Sequence, residues 1–436
     1  MHLKPDMGTD SFILHIDSMA YGGRGVGRRG DGKVAFAAMT IPEETLRACV
    51  IEEHKSYVVV EVEELLEASP YRVSPPCPIF SLCGGCDWQH IAYQKQIAFK
   101  EDILLSQIRA KCPKEAPVIA QGVASGKEYG YRCHAIVRCI HDGGFGMGFF
   151  RKQSNSVVPF ERCPILNEHT QITLSGLRDI LADSSINSLD SIEIHAPQDE
   201  VLVRIMCRGR PCQDGIDIIS TVFSRLPIHG LSYITQGAQR WEKILGKSSC
   251  SYEIHLRGTN MMLSTAFGGF IQANTMVNQA LVTHVFELAR GSRRILDLYS
   301  GNGNFSIPLA LEAKEVFAVE GDSGLVALGR RNARKNRLKN VRFFHMEAGK
   351  AVASLVNEED PFDVVVLDPP REGAKEVVQT LARMRSDRII YISCNPSTLS
   401  RDLAILTYEG YKLKGVRLFD MFPQTYHIES VSYLER

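Results

Sequence analysis

The sequence contains no apolar run of about 18 residues, the length a membrane-spanning helix needs. Its first ten residues, MHLKPDMGTD, lack the apolar core of a signal peptide. Excess charge is also missing. Fifty Lys and Arg balance fifty Asp and Glu, so any nucleic-acid surface must be local. There is no internal repeat and no low-complexity tract. These absences exclude a helical membrane protein and a solenoid. They predict a cytoplasmic chain, monomeric by default, whose twelve cysteines are mostly reduced. At 436 residues, with 44% hydrophobic and 23% charged, it is long enough for two or three domains.

Three of those thiols fall within ten residues. CPIFSLCGGCDWQH places Cys77, Cys83 and Cys86 at C-x5-C-x2-C spacing. In a reducing compartment such a cluster points to a metal or an iron–sulfur group. Both usually take four ligands. ERCPIL supplies Cys163, followed by Pro as Cys77 is. The residues alone leave zinc and iron–sulfur open. C-x2-C suits both and His90 is a spare ligand, while the x5 spacing is less usual for zinc.

Residues 10 to about 66 read as short strands with Gly turns, from SFILHID through AYGGRGVGRRGDGKVAFA to KSYVVVEVEELLE. This predicts a small β-barrel. Arg24, Arg28, Arg29 and Lys33 fall in its Gly-rich loops, where composition supports an RNA contact and a solvated loop equally. SPYRVSPPCP marks a boundary. Residues 92–111 have helical spacing, with Ile97, Ile103, Leu104 and Ile108 on one face. Strand patterns fill 131 to about 260. Beyond 261 a helix carrying Val277, Leu281, Val285 and Leu288 precedes apolar strands that alternate with helices. Continuous Val/Ile/Leu runs are what a parallel strand buried on both faces requires, so this region is predicted as a doubly wound α/β sheet. The expected domains are 1–66, 67–260 and 261–436, with helix 92–112 packed on the last.

Ligands of open α/β sheets sit beyond the carboxyl ends of the strands. Asp297, Glu320, Glu347, Asp368 and Cys394 all fall at such ends. The turn YSGNGNF lacks the third glycine of a dehydrogenase fingerprint. Glu320 is placed to grip ribose hydroxyls and Glu347 to reach an adenine amino group; a surface acid is the plainer alternative for Glu347. VVVLDPPREG forms a rigid elbow at Asp368, because a residue before proline is pushed out of the helical region. Such an elbow on a fourth strand is a habit of class I methyltransferases, where the acid faces cofactor and target base.

IIYISCNPSTLSRD puts Cys394 just past a buried strand and before a helix, with Ser397 expected as the N-cap. A helix N-terminus nearby favours thiolate. Glu429 lies in a final strand. The pair makes chemical sense for uracil. Thiolate addition at carbon 6 turns the ring into an enolate, so carbon 5 can capture a methyl group. A base must then remove the hydrogen left on carbon 5. Cys394 is the candidate nucleophile and Glu429 the candidate base, with His427 as rival.

On the stretches FIQAN (270–274), LDLYSGNGNF (296–305), VLDPPREG (366–373), YISCNPSTLSRD (391–402) and FPQTYHIESV (422–431), the chain resembles the RNA 5-methyluridine methyltransferase family, of the RumA and TrmA type. The resemblance implies a class I (Rossmann-like) domain that binds S-adenosylmethionine through Gln272, Tyr299, Asn304, Glu320, Glu347 and Asp368. It implies Cys394 as nucleophile and Glu429 as base. It implies that the N-terminal barrel is a TRAM-type, OB-like RNA-binding module, though Pro42-Glu43-Glu44 departs from that module's usual Pro-Gly-Glu. It implies a [4Fe-4S] cluster held by Cys77, Cys83, Cys86 and Cys163. Ser300 stands where many members have Cys, and Cys133 replaces the Asn of a YRN-type pattern beside Arg132, which is expected to help hold a flipped base.

The tRNA-directed branch of that family usually lacks both the barrel and the cysteine set, so the resemblance implies ribosomal large-subunit RNA rather than tRNA as the partner. The enzyme must take a loop base or flip one out. Phe267, Phe270 and Phe305 are candidate stackers, with core packing as the alternative, and the basic run 330–342 is a candidate RNA face or a solvated helix. Rival readings are a tRNA uracil-5 methyltransferase, an iron–sulfur nicotinamide oxidoreductase and a non-catalytic RNA-binding protein.

Overall fold

The computed structural model describes residues 11–141, 144–182, 188–209, 213–237, 243–356 and 360–436. The first ten residues, read above as lacking a signal core, lie outside the described residues. Five strands, β1 (Phe12–Met19), β2 (Gly25–Arg28), β3 (Val34–Ala37), β4 (Thr45–Glu53) and β5 (Tyr57–Glu67), close into a barrel in the order β1-β2-β3-β5-β4. Strand alternation sends Leu14, Ile16, Ala35, Ala37, Leu46, Ala48, Val58 and Val60 inward. The basic loops are less free than their composition implied. Arg29 pairs with Asp31 and with Glu53 at 3.0 Å, and Lys33 reaches Glu53 at 2.6 Å. Arg24 and Arg28 form no such pair with an acid among the described residues.

Helix α1 (Tyr93–Lys111) and strand β6 (Val118–Val123) follow the cysteine loop. Ile103, Leu104 and Ile108 of α1 join the same apolar cluster as Leu399, Leu403 and Leu406 near the end of the chain. Lys100 of α1 and Asp420 form a fully buried ion pair at 2.6 Å. Removing one partner of such a pair typically costs about 3–5 kcal/mol, because the other charge is left uncompensated.

The central region builds a seven-stranded sheet from β7 (His134–Ile140), β8 (Gly146–Phe150), β9 (Val157–Pro159), β10 (Leu189–His195), β11 (Leu202–Cys207), β12 (Gly230–Thr235) and β13 (Lys243–Gly246), in the order β13-β12-β11-β10-β7-β8-β9. Two helices not expected from the sequence, α2 (Glu168–Leu181) and α3 (Gln213–Arg225), belong to this region. Leu174, Leu177 and Leu181 of α2 pack on one face of the sheet. Asn167 caps α2 by accepting the Thr170 N–H at 3.0 Å. Its buried positions include Thr170 and Thr173, and those hydroxyls hid the apolar stripe.

A hairpin, β14 (Ser249–Leu256) and β15 (Thr259–Ala266), comes next. The boundary expected at 260/261 falls inside it. Its Tyr252, Ile254, Leu256, Met261 and Leu263 share a core with the helix that follows, so the hairpin packs as part of the C-terminal unit.

That unit contains α4 (Thr275–Leu288), β16 (Arg294–Leu298), α5 (Ser306–Leu309), β17 (Glu315–Glu320), α6 (Ser323–Lys335), β18 (Val341–His345), α7 (Ala348–Leu355), β19 (Val364–Leu367), α8 (Lys375–Leu381), β20 (Arg388–Ser393), α9 (Pro396–Tyr408), β21 (Lys412–Phe419) and β22 (Glu429–Glu435). Its sheet runs β18-β17-β16-β19-β20-β22-β21-β6. The first five strands in this order are parallel. Strand β22 inserts antiparallel between β20 and β21. The outer edge is β6, contributed from far earlier in the chain. Val364–Leu367 are wholly buried, as a two-sided strand demands. Among the described residues, no helix is long and apolar enough to cross a membrane.

Candidate active site

The parallel strands deliver their last residues to one edge. Strand β16 ends in a Gly-rich turn where Tyr299, Gly301 and Gly303 all have positive φ. A Cβ on Gly303 would meet Ile307 Cγ1 at 2.8 Å and Phe343 Cζ at 3.0 Å. Gly303 therefore serves both a left-handed backbone and close helix–strand packing. A Gly303→Ala variant is expected to lose about 1–3 kcal/mol in chemical denaturation, from strain plus crowding. A loss under a few tenths would mean the turn relaxes freely.

Glu320 closes β17 and accepts the Gly301 N–H at 2.9 Å and the Asp322 N–H at 2.8 Å, so it shapes the turn it was expected to serve. Asp297 is fully buried, and its Oδ1 has no hydrogen-bond partner. Burial pushes its carboxyl up to about 7, against a bond from Ser306. Asn304 exchanges two 2.9 Å bonds with Asn278, tying the turn to α4. Its amide is thus engaged within the scaffold. Gln272 is buried, and its carbonyl accepts the Cys133 S–H at 3.4 Å. Glu347 stands exposed before α7 and pairs with Lys350 at 2.9 Å.

Three reactive groups meet at adjoining strand ends. Asp368 follows β19. Cys394 follows β20, and Glu429 opens β22. Leu367 lies across from Tyr391, and Ser393 pairs with Ser430, so the next positions along bring Cys394 and Glu429 side by side. Cys394 is half-buried and Glu429 buried. Burial and Asp368 push the Glu429 carboxyl well above the ordinary range. Burial raises Asp368 to about 7.

The thiol differs from expectation. Cys394 is pushed up to about 12 by burial, then by the Glu429 and Asp368 carboxylates, with Arg371 opposing. The nearby helix start does not outweigh two acids in a low-dielectric crevice. The N-cap of α9 is Asn395, which accepts the Ser397 N–H at 3.0 Å; Pro396 occupies the first turn and Ser397 does not cap. Asn395 also donates from Nδ2 to the Arg371 carbonyl at 3.0 Å, and Thr398 Oγ1 donates to the same oxygen at 3.1 Å. These bonds fasten the Asp-Pro-Pro elbow to the cysteine turn.

The loop before Glu429 is held from outside the sheet. Lys100 donates to Asp420 at 2.6 Å and to the Phe422 carbonyl at 3.0 Å. The Gln424 carbonyl accepts the Asp87 and Trp88 N–H groups at 3.0 Å, which join this loop to the cysteine loop. His427 is pushed down to about 4 by burial, then by Arg371 and other cations, which makes it a weak proton acceptor. Two residues missed in the sequence also face the site. Arg371 lies just past the Asp-Pro-Pro elbow, and its position there was an available signal. Tyr21 comes from the barrel; its ring meets Tyr426 edge-on at 5.6 Å, and its hydroxyl is pushed up by burial and by Tyr426, Cys394 and Glu429. Nothing local in sequence marks Tyr21.

Cys77, Cys83, Cys86 and Cys163 line one cavity of about 380 Å³, together with Arg132, Arg371, Thr425 and His427. The Cys83, Cys86 and Cys163 thiols are pushed up by burial first, and each also feels at least one other sulfur of the set. Among the described residues, the group of three or more candidate ligand atoms that close to within 4.8 Å of one another is elsewhere, so no three of these sulfurs reach that spacing. A single tetrahedral ion would bring thiolates to about 4 Å apart. The spacing suits a larger group. His90 is buried with its Nε2 toward the Thr40 carbonyl at 3.5 Å and outside the cavity lining, which removes it as a spare ligand. Of the candidate stackers, Phe267 and Phe305 are core residues and Phe270 is exposed. In the basic run, Arg330 bonds the Phe343 carbonyl at 2.7 Å and Arg342 pairs with Glu315 at 3.0 Å, so those two serve packing.

The sequence profile of the family described as tRNA (Uracil-5-)-methyltransferase matches residues 92–436. A protein of Aeromonas hydrophila named 23S rRNA (uracil(1939)-C(5))-methyltransferase RlmD is 32% identical over 429 residues, covering 97% of this chain and 95% of its own. The Pseudomonas putida protein of the same name is 32% identical over 434 residues, covering 97% and 93%. The crystal structure of the Pyrococcus abyssi tRNA (uracil-54, C5)-methyltransferase in complex with S-adenosyl-L-homocysteine superimposes with a TM-score of 0.75 at 23% identity. It covers 97% of this chain and 100% of the other.

Proposed function

Because the chain belongs to the tRNA (uracil-5-)-methyltransferase family, we propose that it transfers a methyl group from S-adenosylmethionine to carbon 5 of a uridine in 23S rRNA, with Cys394 as nucleophile and Glu429 as base. The observation that carries this is the meeting of Cys394, Glu429 and Asp368 on neighbouring strand ends. The ribosomal substrate is supported by relatives of that name, similar along nearly their whole length. The protein acts in the cytoplasm as a monomer on folded RNA.

The residues divide the work as follows. Cys394 releases its proton to solvent and its sulfur bonds to carbon 6, sending the ring's π electrons toward carbon 5 and the carbonyl oxygen. S-adenosylmethionine supplies the methyl group that carbon 5 captures. Glu429, ionised at this stage, takes the hydrogen from carbon 5. The double bond then reforms and the sulfur leaves with its electron pair. A base whose pKa is raised by burial is a stronger acceptor once ionised. His427, held low, is poorly suited to that role. Gln272, Tyr299, Asn304, Glu320, Glu347 and Asp368 would hold the donor.

Asp297 and Asp368 both sit near pKa 7, above their ordinary value. The folded state therefore keeps these protons after the unfolded chain has lost them. Their contribution to stability is full below about pH 4 and is lost as pH rises to about 7. A cationic donor beside Asp368 reverses this preference. Binding at pH 6 is then expected to release about 0.9 proton from this carboxyl. Calorimetry in buffers of different ionisation enthalpy measures it; proton uptake or no exchange would count against the donor lying there.

We further assign Cys77, Cys83, Cys86 and Cys163 to a [4Fe-4S] cluster. Four thiols around one cavity, spaced wider than one ion allows, support this over zinc. Methyl transfer moves no net electron, so the cluster serves to fix the cysteine loop, which is bonded to the Glu429 loop through Gln424. The function as a whole is tested by mapping 5-methyluridine in total RNA from cells with and without the protein. Loss at a 23S rRNA site is expected; loss only in tRNA would redirect the assignment to the tRNA reading.

A further inference from the structure

Two histidines and a glutamate converge on the central sheet, apart from the catalytic strand ends. His134 opens β7 and lies directly across from His195 at the end of β10. Glu193 precedes His195 by two residues, so strand alternation puts it on the same face. His134 Nε2 and His195 Nε2 approach Glu193 Oε1 to 2.9 Å and 3.0 Å. The imidazole rings lie 4.4 Å apart. All three candidate ligand atoms fall within 4.8 Å of one another. Arg204, opposite Glu193 on β11, is ion-paired with Oε2 of the same carboxylate.

The other face of this sheet is apolar, with Ala135, Ile192, Ile194, Val203 and Ile205 in its core. Placing two imidazoles, a carboxylate and a guanidinium on the buried reverse face is costly unless their polar atoms are engaged. His195 is fully buried, and its Nδ1 has no hydrogen-bond partner.

We propose that His134, Glu193 and His195 together bind one divalent transition-metal ion of the zinc type. Zinc bonds imidazole nitrogen and carboxylate oxygen at about 2.0–2.2 Å, which in tetrahedral geometry separates ligand atoms by about 3.3 Å. The observed separations from Oε1 need to open by only a few tenths of an ångström. Three protein ligands leave one position for solvent. Arg204 holds the free carboxylate oxygen, as outer partners of metal ligands do.

The ion would clip β7 to β10 where the chain enters the cavity wall. Arg132 donates from Nε to the His134 carbonyl at 2.9 Å, and both residues line the cavity of the four cysteines. A metal at this point would therefore fix the Arg132 side of the cysteine cavity.

The test uses the full chain with its cysteine site loaded, so that thiols cannot bind the probe. Zinc content is counted after dialysis against micromolar zinc, and cobalt(II) is titrated as a spectroscopic probe. One zinc per chain beyond the cysteine site is expected, with ligand-field bands for cobalt. Glu193→Gln, which keeps the shape, and His134→Ala, at a half-buried position, should each weaken binding about 100-fold or more. Stripping zinc from the wild type should lower Tm, and returning it should restore Tm. Folding of each variant is checked by circular dichroism; if His134→Ala does not fold, Glu193→Gln and the stripped wild type decide. A folded wild type that takes up neither metal, or variants that bind as tightly as wild type, would overturn the site.

Discussion

A Cys394→Ala variant is expected to transfer no measurable methyl group, a fall on the order of 10⁴-fold or more, while still binding S-adenosylmethionine and RNA. Carbon 5 of uracil is not nucleophilic enough to take the methyl group unaided. Without a sulfur at carbon 6 there is no enolate to activate it. The alanine leaves the β20–α9 turn intact, because Asn395 caps the helix and Pro396 starts it. Burial and two acids hold the thiol near 12, so the wild-type enzyme does not carry a standing thiolate. The thiolate must form only when cationic donor and base are in place. The free enzyme should accordingly react sluggishly with iodoacetamide below pH 9, and faster once donor is bound. Methylation by Cys394→Ala above background would end the covalent account.

A Glu429→Gln variant is expected to stop one stage later. It should form the bond from Cys394 to the ring and methylate carbon 5, then fail to remove the remaining hydrogen. The enzyme–RNA adduct should accumulate on a denaturing gel while turnover drops by about 10²–10⁴-fold. Glutamine keeps the volume and removes the base. It also removes a like-charge neighbour of Asp368 and Cys394, so the thiol should titrate lower than in wild type. His427→Asn, by contrast, should turn over without accumulating adduct. If His427→Asn traps the adduct and Glu429→Gln does not, the two roles are exchanged.

The parallel sheet was legible because burial on both faces writes itself as unbroken Val/Ile/Leu runs, as in Val364–Leu367. The barrel was legible from alternation and Gly turns. Helix α2 was not, because threonines occupy its buried stripe, and hairpin β14–β15 was split because period-two alternation does not say which core a strand covers. Strand β6 joins an edge nearly 300 residues away in sequence, through main-chain pairing with β21 that leaves no side-chain signature. At the site, the elbow and turn motifs placed Asp368, Cys394 and Glu429 at strand ends, and register brings those ends together. What spacing could not say is how groups are spent. Asn304 is engaged with Asn278, Glu320 with backbone N–H groups, and the Arg29–Lys33 loop with its own acids. Protonation was the least legible of all. A helix start predicted a thiolate at Cys394, and only the folded crevice reveals the two carboxylates that oppose it.

The most direct measurement uses RNA in which uridine is replaced by 5-fluorouridine. Fluorine at carbon 5 cannot be removed by a base, so the reaction halts after methylation with the enzyme still attached. After incubation with S-adenosylmethionine and digestion, mass spectrometry should find a methylated fluoropyrimidine on the peptide that contains Cys394, and on no other. Efficient methylation of natural RNA with no adduct on the fluorinated substrate, or an adduct on a different residue, would contradict the account.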